Sequence, residues 1–402
     1  MNKLLIGLLA LGVTSSIQAA KSPTAYAVKT KHLNSFNQTN SKNKIETITA
    51  DKDSGYSVVV LNEKQVMDVT THVHTVEKNC GGLEDLSVDA SHNNFSIMQS
   101  FKQMLKEPTF EKFDYSIKND LAVREVLTHL SKANYEGDLR IFTSFKNRFA
   151  NSQLGVDAAH WLRDKARTYA SSYGRNDVEV SLLDTPRYKQ PSVLVKIPGS
   201  VSSLPGVLIG GHMDSYSGNK PAVDDDASGT IASLEVLRGL LASEQRFKRD
   251  IYVAFYAAEE WGLHGSKRMA NQFRQDGIKL KGIMQLDMIA YSQETDKHFT
   301  FVRDFTNDKL TEYTMDLAKH YLGTTSDKIG NTRCGYGCSD HASWHRNSYP
   351  AVTPFEAHMD GMNGALHTPR DTMDLADIEH AFRFVQLGMA FIAETAEPTT
   401  IQ

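Results

Sequence analysis

Three apolar runs in this chain of 402 residues end in side chains that bind divalent metals. Val207-Leu208-Ile209-Gly210-Gly211 leads into His212-Met213-Asp214, Phe255-Tyr256-Ala257-Ala258 into Glu259-Glu260, and Ile283-Met284-Gln285-Leu286 into Asp287. If these runs are strands of an open α/β sheet, their carboxyl ends face one crevice, and residues far apart in sequence converge there. A fourth acidic segment, Val223-Asp224-Asp225-Asp226-Ala227-Ser228-Gly229, precedes a helical pattern with apolar Ile231, Leu234, Leu237 and Leu241. A helix start tolerates negative charge, and capping by Asp225 or Asp226 would use one of these acids. Three consecutive carboxylates exceed what a cap requires. Crowded acids on a buried rim repel one another unless a cation lies among them, so a divalent metal is expected.

His212 needs a second imidazole, and the candidates downstream are His341, His345, His358 and His367. His341 and His345 have the i, i+4 spacing of a helical zinc pair, but Ala342 stands where such metalloproteases keep a general-base Glu, so the pair reads as structural. His367 lies in Ala365-Leu366-His367-Thr368-Pro369-Arg370-Asp371-Thr372, a loop before the last helical pattern from which a side chain can reach back over a sheet. Spacing alone leaves this choice open.

The elements that must position these groups follow from periodicity. Strand-like runs at Ser192 to Ile197, Val207 to Gly210, Ile251 to Ala257, Gly282 to Leu286 and Phe299 to Val302 alternate with helical patterns. The helices are expected at Gly229 to Leu241, Ser266 to Asp276, Lys309 to Tyr321 and Ile378 to Ala393. Continuous apolar strands suit burial on both faces, which predicts an α/β fold with a mostly parallel central sheet flanked by helices on both sides. Helical patterns also cover Ile117 to Ala133 and Gly155 to Ser172, after a break at Lys106-Glu107-Pro108-Thr109. The boundary of a single catalytic domain, residues 111–402, is therefore placed near residue 110. Before it, Lys21 to Ser54 is rich in Lys, Ser, Thr and Asn with little apolar periodicity, and Tyr56 to Leu61 reads as a strand.

Lys3, the apolar run Leu4 to Val13 and the small-residue exit to Ala20 make residues 1–19 a signal peptide cleaved near Ala19, since ten apolar residues are half of the roughly 20 that cross a bilayer. The mature chain is expected in the periplasm or the medium, without a membrane anchor. Residues 20–110 are then expected to be a removable pro-segment, a chaperone or inhibitor of the rest. In that compartment disulfides are permitted, and Cys334 and Cys338, four residues apart, are expected to be bridged so as to hold a loop in shape. Cys80 is left as an odd thiol. A net charge of −4 gives no footprint for nucleic acid.

Several of these segments match a known family in order. Gly210-Gly211-His212-Met213-Asp214-Ser215, Asp224 to Gly229, Ala257-Ala258-Glu259-Glu260-Trp261-Gly262, Gln285-Leu286-Asp287-Met288, Cys334-Gly335-Tyr336-Gly337-Cys338-Ser339-Asp340-His341 and His367-Thr368 resemble those of the secreted bacterial leucyl aminopeptidases with two zinc ions. The resemblance covers about residues 120–395. It implies a zinc-exopeptidase fold and two Zn2+ per chain, bridged by Asp225. His212 and Asp287 would complete one zinc, and Glu260 and His367 the other. Glu259 would be the general base, Asp214 would orient His212, and Tyr336 would lean over the reacting carbonyl. Paired zinc ions can hold a hydroxide and polarise a carbonyl, so the implied reaction is removal of the first residue from peptides with a free N-terminus. By position in these segments Met288, Phe355, Met359, Met362 and Leu366 surround the first side chain, favouring Leu, Phe or Met. Asp360 facing inward would favour Lys or Arg instead. The competing readings are a single-zinc glutaminyl cyclase of the same fold and a non-catalytic binding protein on this scaffold. A monomer is expected.

Overall fold

The structure, a computed structural model, describes residues 23–77, 82–88 and 96–399. Residues 1–19, read above as a signal peptide, and Cys80 lie outside these residues. The chain begins with a small unit: β1 (Thr24–Lys29), α1 (Thr30–Thr39), β2 (Thr49–Asp51), β3 (Tyr56–Leu61), α2 (Glu63–Glu77), β4 (Leu83–Asp85) and α3 (Ile97–Met104). Its strands form an antiparallel sheet in the order β2-β3-β1-β4. The polar stretch after Lys21 is thus more ordered than its composition suggests. Ala25 to Val28 are buried in β1, and His32, Leu33 and Phe36 form the buried face of α1. The strand expected at Tyr56 to Leu61 is β3. Residues 107–119 then run without helix or strand, and Lys106, Lys112 and Lys118 are exposed along this stretch.

The larger unit comprises α4 (Asp120–Leu127), α5 (Lys132–Phe142), α6 (Gln153–Ser172), β5 (Glu179–Leu183), β6 (Ser192–Ile197), β7 (Gly206–His212), α7 (Gly229–Ala242), β8 (Ile251–Tyr256), α8 (His264–Gln275) and β9 (Leu280–Gln285). It continues with β10 (Phe299–Val302), α9 (Asp308–Leu322), β11 (Ile329–Thr332), α10 (His341–Arg346), β12 (Ala351–Val352), β13 (Pro354–Phe355) and α11 (Ile378–Ala396). One helix was expected from Ile117 to Ala133; two form instead, because the Ser131 side chain accepts the Asn134 amide and starts α5.

The central sheet has the order β12-β9-β7-β8-β6-β5. The pairs from β12 to β8 are parallel, whereas β6 and β5 run antiparallel at one edge, so "mostly parallel" describes the half that carries the site. Strand alternation divides the core. Val207, Ile209, Val253 and Phe255 face a cluster with α7 and α11, while Leu208, Tyr252, Ala254 and Tyr256 face one with α8 and Trp344 of α10. A second sheet has the order β11-β10-β13. No helix among the described residues is long and apolar enough to cross a membrane.

Candidate metal centre

The carboxyl ends of β7, β8 and β9 lie side by side. His212 is the last residue of β7, Glu259 and Glu260 follow β8, and Asp287 follows β9. The acidic segment closes onto this edge because the residue before His212 is glycine: a Cβ on Gly211 would lie 2.7 Å from Asp226 Oδ2 and 2.8 Å from the Thr230 nitrogen. Asp226 is the clamp of this junction. Its Oδ2 accepts the His212 amide at 3.0 Å and its Oδ1 the Gly229 amide at 2.8 Å. The Asp225–Asp226 peptide is cis. Arg148 cross-braces the same junction, donating to the carbonyls of Met213, Pro221 and Ala222.

Asp225 faces both imidazoles. Its Oδ1 lies 3.1 Å from His212 Nε2 and its Oδ2 2.9 Å from His367 Nε2. Glu260 Oε2 is 2.8 Å from His367 Nε2, and Asp287 Oδ1 is 3.6 Å from His212 Nε2. Two groups of potential ligands result, each with ligand atoms within 4.8 Å: Asp225, Glu260 and His367, and His212, Asp287 and Asp226. In the second group Asp226 already accepts two backbone amides, which leaves Asp225 as the acid whose oxygens divide between the groups. Ser339 donates to Asp287 Oδ2, while buried Asp287 Oδ1 has no hydrogen-bond donor among the described residues.

The electrostatics show what this cage requires. Burial alone would lower His212, but Asp287, Asp214 and Asp225 outweigh it and hold the imidazole well above its ordinary pKa. Burial likewise opposes, and Glu260 and Asp225 overcome, a rise of His367 to about 10. Burial pushes Glu260 up to about 7 against the pull of His367, and pushes Glu259 well up, with Asp340, Glu260 and Asp287 adding to the rise. Asp225 goes the other way: burial would raise it, but the two imidazoles hold it well below the usual carboxylate range. The site demands positive charge, and its donors are imidazole nitrogens and carboxylate oxygens, the ligands zinc takes. Two divalent cations fit this donor set.

Glu259 and Glu260 are not on a strand. They lie in a turn beyond β8 between Ala258 (φ 56°) and Gly262 (φ 111°). Asp214 holds that turn, accepting the Glu259 amide at 2.9 Å and the Glu260 amide at 3.4 Å, and its Oδ1 is 3.6 Å from His212 Nδ1. Sequence reasoning also missed a buried layer behind Asp225. Asp371 accepts the amides of Asp224, at 3.0 Å, and Asp225, at 3.1 Å. Asn363 donates to Asp224 and Asp371, and Glu356 accepts the amides of Tyr291 and Asn363. Only the clustering of acids after His367 hinted at this layer. His341 and His345 stay outside both ligand groups; burial holds them down to about 4 and about 3, and His341 Nε2 lies 3.0 Å from the Asp304 carbonyl. His358 is also outside these groups.

Cys334 and Cys338 form a disulfide, with Cα atoms 6.4 Å apart. Between them Tyr336 is buried in an apolar cluster with Met288, Phe355, Met362 and Leu366, against which Met359 packs partly exposed. Asp360 is exposed on a short turn and does not face inward, so it gives no support to a basic first residue. The same cluster contains Ala27, Tyr56, Val58, Leu86, Phe101 and Met104 of the N-terminal unit. That unit also packs on Tyr216 and Trp261. The Tyr216 ring is 4.4 Å from that of His367, its hydroxyl donates to Thr70 Oγ1 at 2.6 Å, and the His32 ring is 5.5 Å from that of Tyr336. The described residues of the N-terminal unit therefore lie over Tyr216, Trp261 and Tyr336 at the edge of the candidate site.

Residues 192–392 match the model of peptidase family M28. A probable leucine aminopeptidase 1 of Trichophyton verrucosum is 33% identical over 299 residues, which cover 70% of this chain and 79% of that protein. The crystal structure of the Legionella pneumophila LapA aminopeptidase superposes with a TM-score of 0.84 at 32% identity, covering 93% of this chain and 98% of that one. A match of that extent takes in the N-terminal unit as well. Porphyromonas gingivalis glutaminyl cyclase, at 16% identity, a TM-score of 0.55 and coverage of 65% of this chain and 98% of its own, shares the fold. With its catalytic half matched by the family model and relatives of this identity along most of its length, the chain belongs to peptidase family M28 and is a hydrolase of peptide bonds, of the leucine aminopeptidase kind.

Proposed function

We propose that the protein is a secreted di-zinc aminopeptidase that removes an apolar first residue from peptides and is made in a latent form covered by its own N-terminal unit. The observation that carries the metal count is the placing of Asp225, one oxygen toward His212 and the other toward His367. His212, Asp225 and Asp287 would hold one zinc, and Asp225, Glu260 and His367 the other. Bound there, zinc supplies Lewis acidity and lowers the pKa of water.

The chain's own residues do the rest. Glu259, kept basic enough by burial to accept a proton, takes one from the attacking water and delivers it to the leaving amine. Asp214 fixes the turn that aims Glu259 and faces the far nitrogen of His212, the position from which a carboxylate orients a metal-ligating imidazole. The Tyr336 hydroxyl stabilises charge growing on the scissile carbonyl, and the disulfide holds its loop. Met288, Phe355, Met362 and Leu366 receive the first side chain; their packing against Leu86, Phe101 and Met104 supports an apolar preference. Burial of the same surface under residues 23–104 supports latency, and the exposed stretch 107–119 supports processing there. A panel of aminoacyl amides, assayed before and after cleavage of that stretch with zinc measured on the same samples, tests the reading. It expects hydrolysis of Leu, Phe and Met amides to rise on processing, with zinc near two per chain. Equal activity of uncut and processed protein would contradict latency, and a preference for Lys or Arg would contradict the pocket.

A further inference from the structure

The cover is held by charge as well as by apolar packing. β4 ends in Glu84 and Asp85, which are 2% and 0% exposed although they belong to the N-terminal unit and lie against the catalytic one. Asp85 Oδ2 is 2.8 Å from His264 Nε2 and 2.9 Å from Arg187 Nη1. The Arg346 guanidinium grips both oxygens of Glu84, with Nη2 at 2.6 Å from Oε1. Lys267 Nζ donates to the Asp85 carbonyl at 2.8 Å and lies 3.7 Å from Glu84 Oε2. The four groups come from separate places in the catalytic unit: a loop before β6, the first turn of α8 and the end of α10. They meet behind the turn that carries Glu259 and Glu260. The Gly262 carbonyl of that turn accepts the Asp85 amide at 3.3 Å, and a Cβ on Gly262 would lie 2.7 Å from the Asp85 nitrogen.

A buried carboxylate is costly unless paired, and so is a buried cation. Each side of this contact satisfies the other, and neither is satisfied by the apolar clusters around it. We propose that Arg187, His264, Lys267 and Arg346 form a recognition site for two adjacent carboxylates, and that Glu84–Asp85 keeps the N-terminal unit seated after the linker has been cut. Cleavage at 107–119 then leaves a non-covalent complex, and activity appears only when the acidic pair leaves the pocket. This rests on the latency proposed above.

The test uses the full-length protein, cut in the exposed stretch by a protease that cleaves after lysine, followed by gel filtration and Leu-amide hydrolysis. The cut wild type is expected to elute as one complex of low activity. The Glu84→Gln/Asp85→Asn protein is expected to lose its cover roughly 30-fold faster and to become active, with a catalytic fragment identical in sequence to the wild type's. Arg346→Gln should also loosen the cover, and combining it with Glu84→Gln should add little, because the two residues form one pair. If the neutralised variants do not fold, Arg346→Lys decides: it keeps the charge but loses the two-point grip on Glu84, so its cut complex should shed the cover faster than the wild type's. Retention of the neutralised cover, additive single effects, or an Arg346→Lys complex as long-lived as the wild type's would each overturn the latch. Fragments that separate without any gain over the uncut chain would instead refute latency and leave the latch standing.

Discussion

Asp371 touches no proposed ligand side chain, yet replacing it should weaken metal binding. Its two oxygens accept the Asp224 amide at 3.0 and 3.2 Å and the Asp225 amide at 3.1 Å, and it sits four residues after His367. It thus ties the backbone of the shared acid to the loop of the second imidazole. Asp371→Ala leaves two buried amides without this acceptor, at a cost of about 1–3 kcal/mol each, reduced where the loop relaxes. That relaxation moves Asp225, and loss of a support behind metal ligands lowers affinity by about 10- to 100-fold. Asp371→Asn retains one acceptor oxygen and should fall between the two. Competition with a zinc chelator gives the affinity, and thermal unfolding with and without added zinc separates it from general stability. A variant with lowered stability but wild-type zinc affinity would refute the reasoning.

Glu259→Ala should keep its zinc and lose about 100- to 10,000-fold in kcat on Leu-amide; undiminished hydrolysis would remove Glu259 from its role. Because Cys334 and Cys338 close a loop of sequence separation four, Cys334→Ser should cost only about 2 kcal/mol in chemical denaturation. The same variant should lower kcat more than it raises KM if Tyr336 acts on the reacting carbonyl as proposed, and a pure KM effect would contradict that placement. His380 is held down to about 4 by burial. Its folded pKa lies below the unfolded value of about 6.5, so the folded protein keeps it neutral and loses stability as pH falls from about 6.5 to about 4, by about 1.4 kcal/mol per pH unit. His380→Asn should flatten that part of the stability curve, and an unchanged acid limb would show that His380 does not carry it.

Much of the site was legible because strands buried on both faces announce themselves as apolar runs, and the groups at their carboxyl ends share one edge of the sheet. His212, Asp287 and the Glu259–Glu260 pair could be placed from this alone. His367 could not, since nothing local distinguishes a loop histidine that reaches back from His341 or His358. Asp371, Asn363 and Glu356 were invisible for a related reason: Asp371 and Glu356 accept backbone amides far away in sequence, and Asn363 donates to the distant Asp224 carboxylate. The edge strand β5 is largely exposed or half-buried and lacks an apolar run. The N-terminal unit escaped because α1, TKHLNSFNQT, has only Leu33 and Phe36 as apolar anchors, and much of what stabilises it is the catalytic surface it covers.

In the proposed function, scattered acids and imidazoles assemble one cage for two cations. Anomalous diffraction from crystals of the purified protein, recorded on both sides of the zinc absorption edge, tests it directly. Two zinc peaks are predicted, one among His212, Asp225 and Asp287 and the other among Asp225, Glu260 and His367. A single peak, or peaks remote from Asp225, would contradict the account.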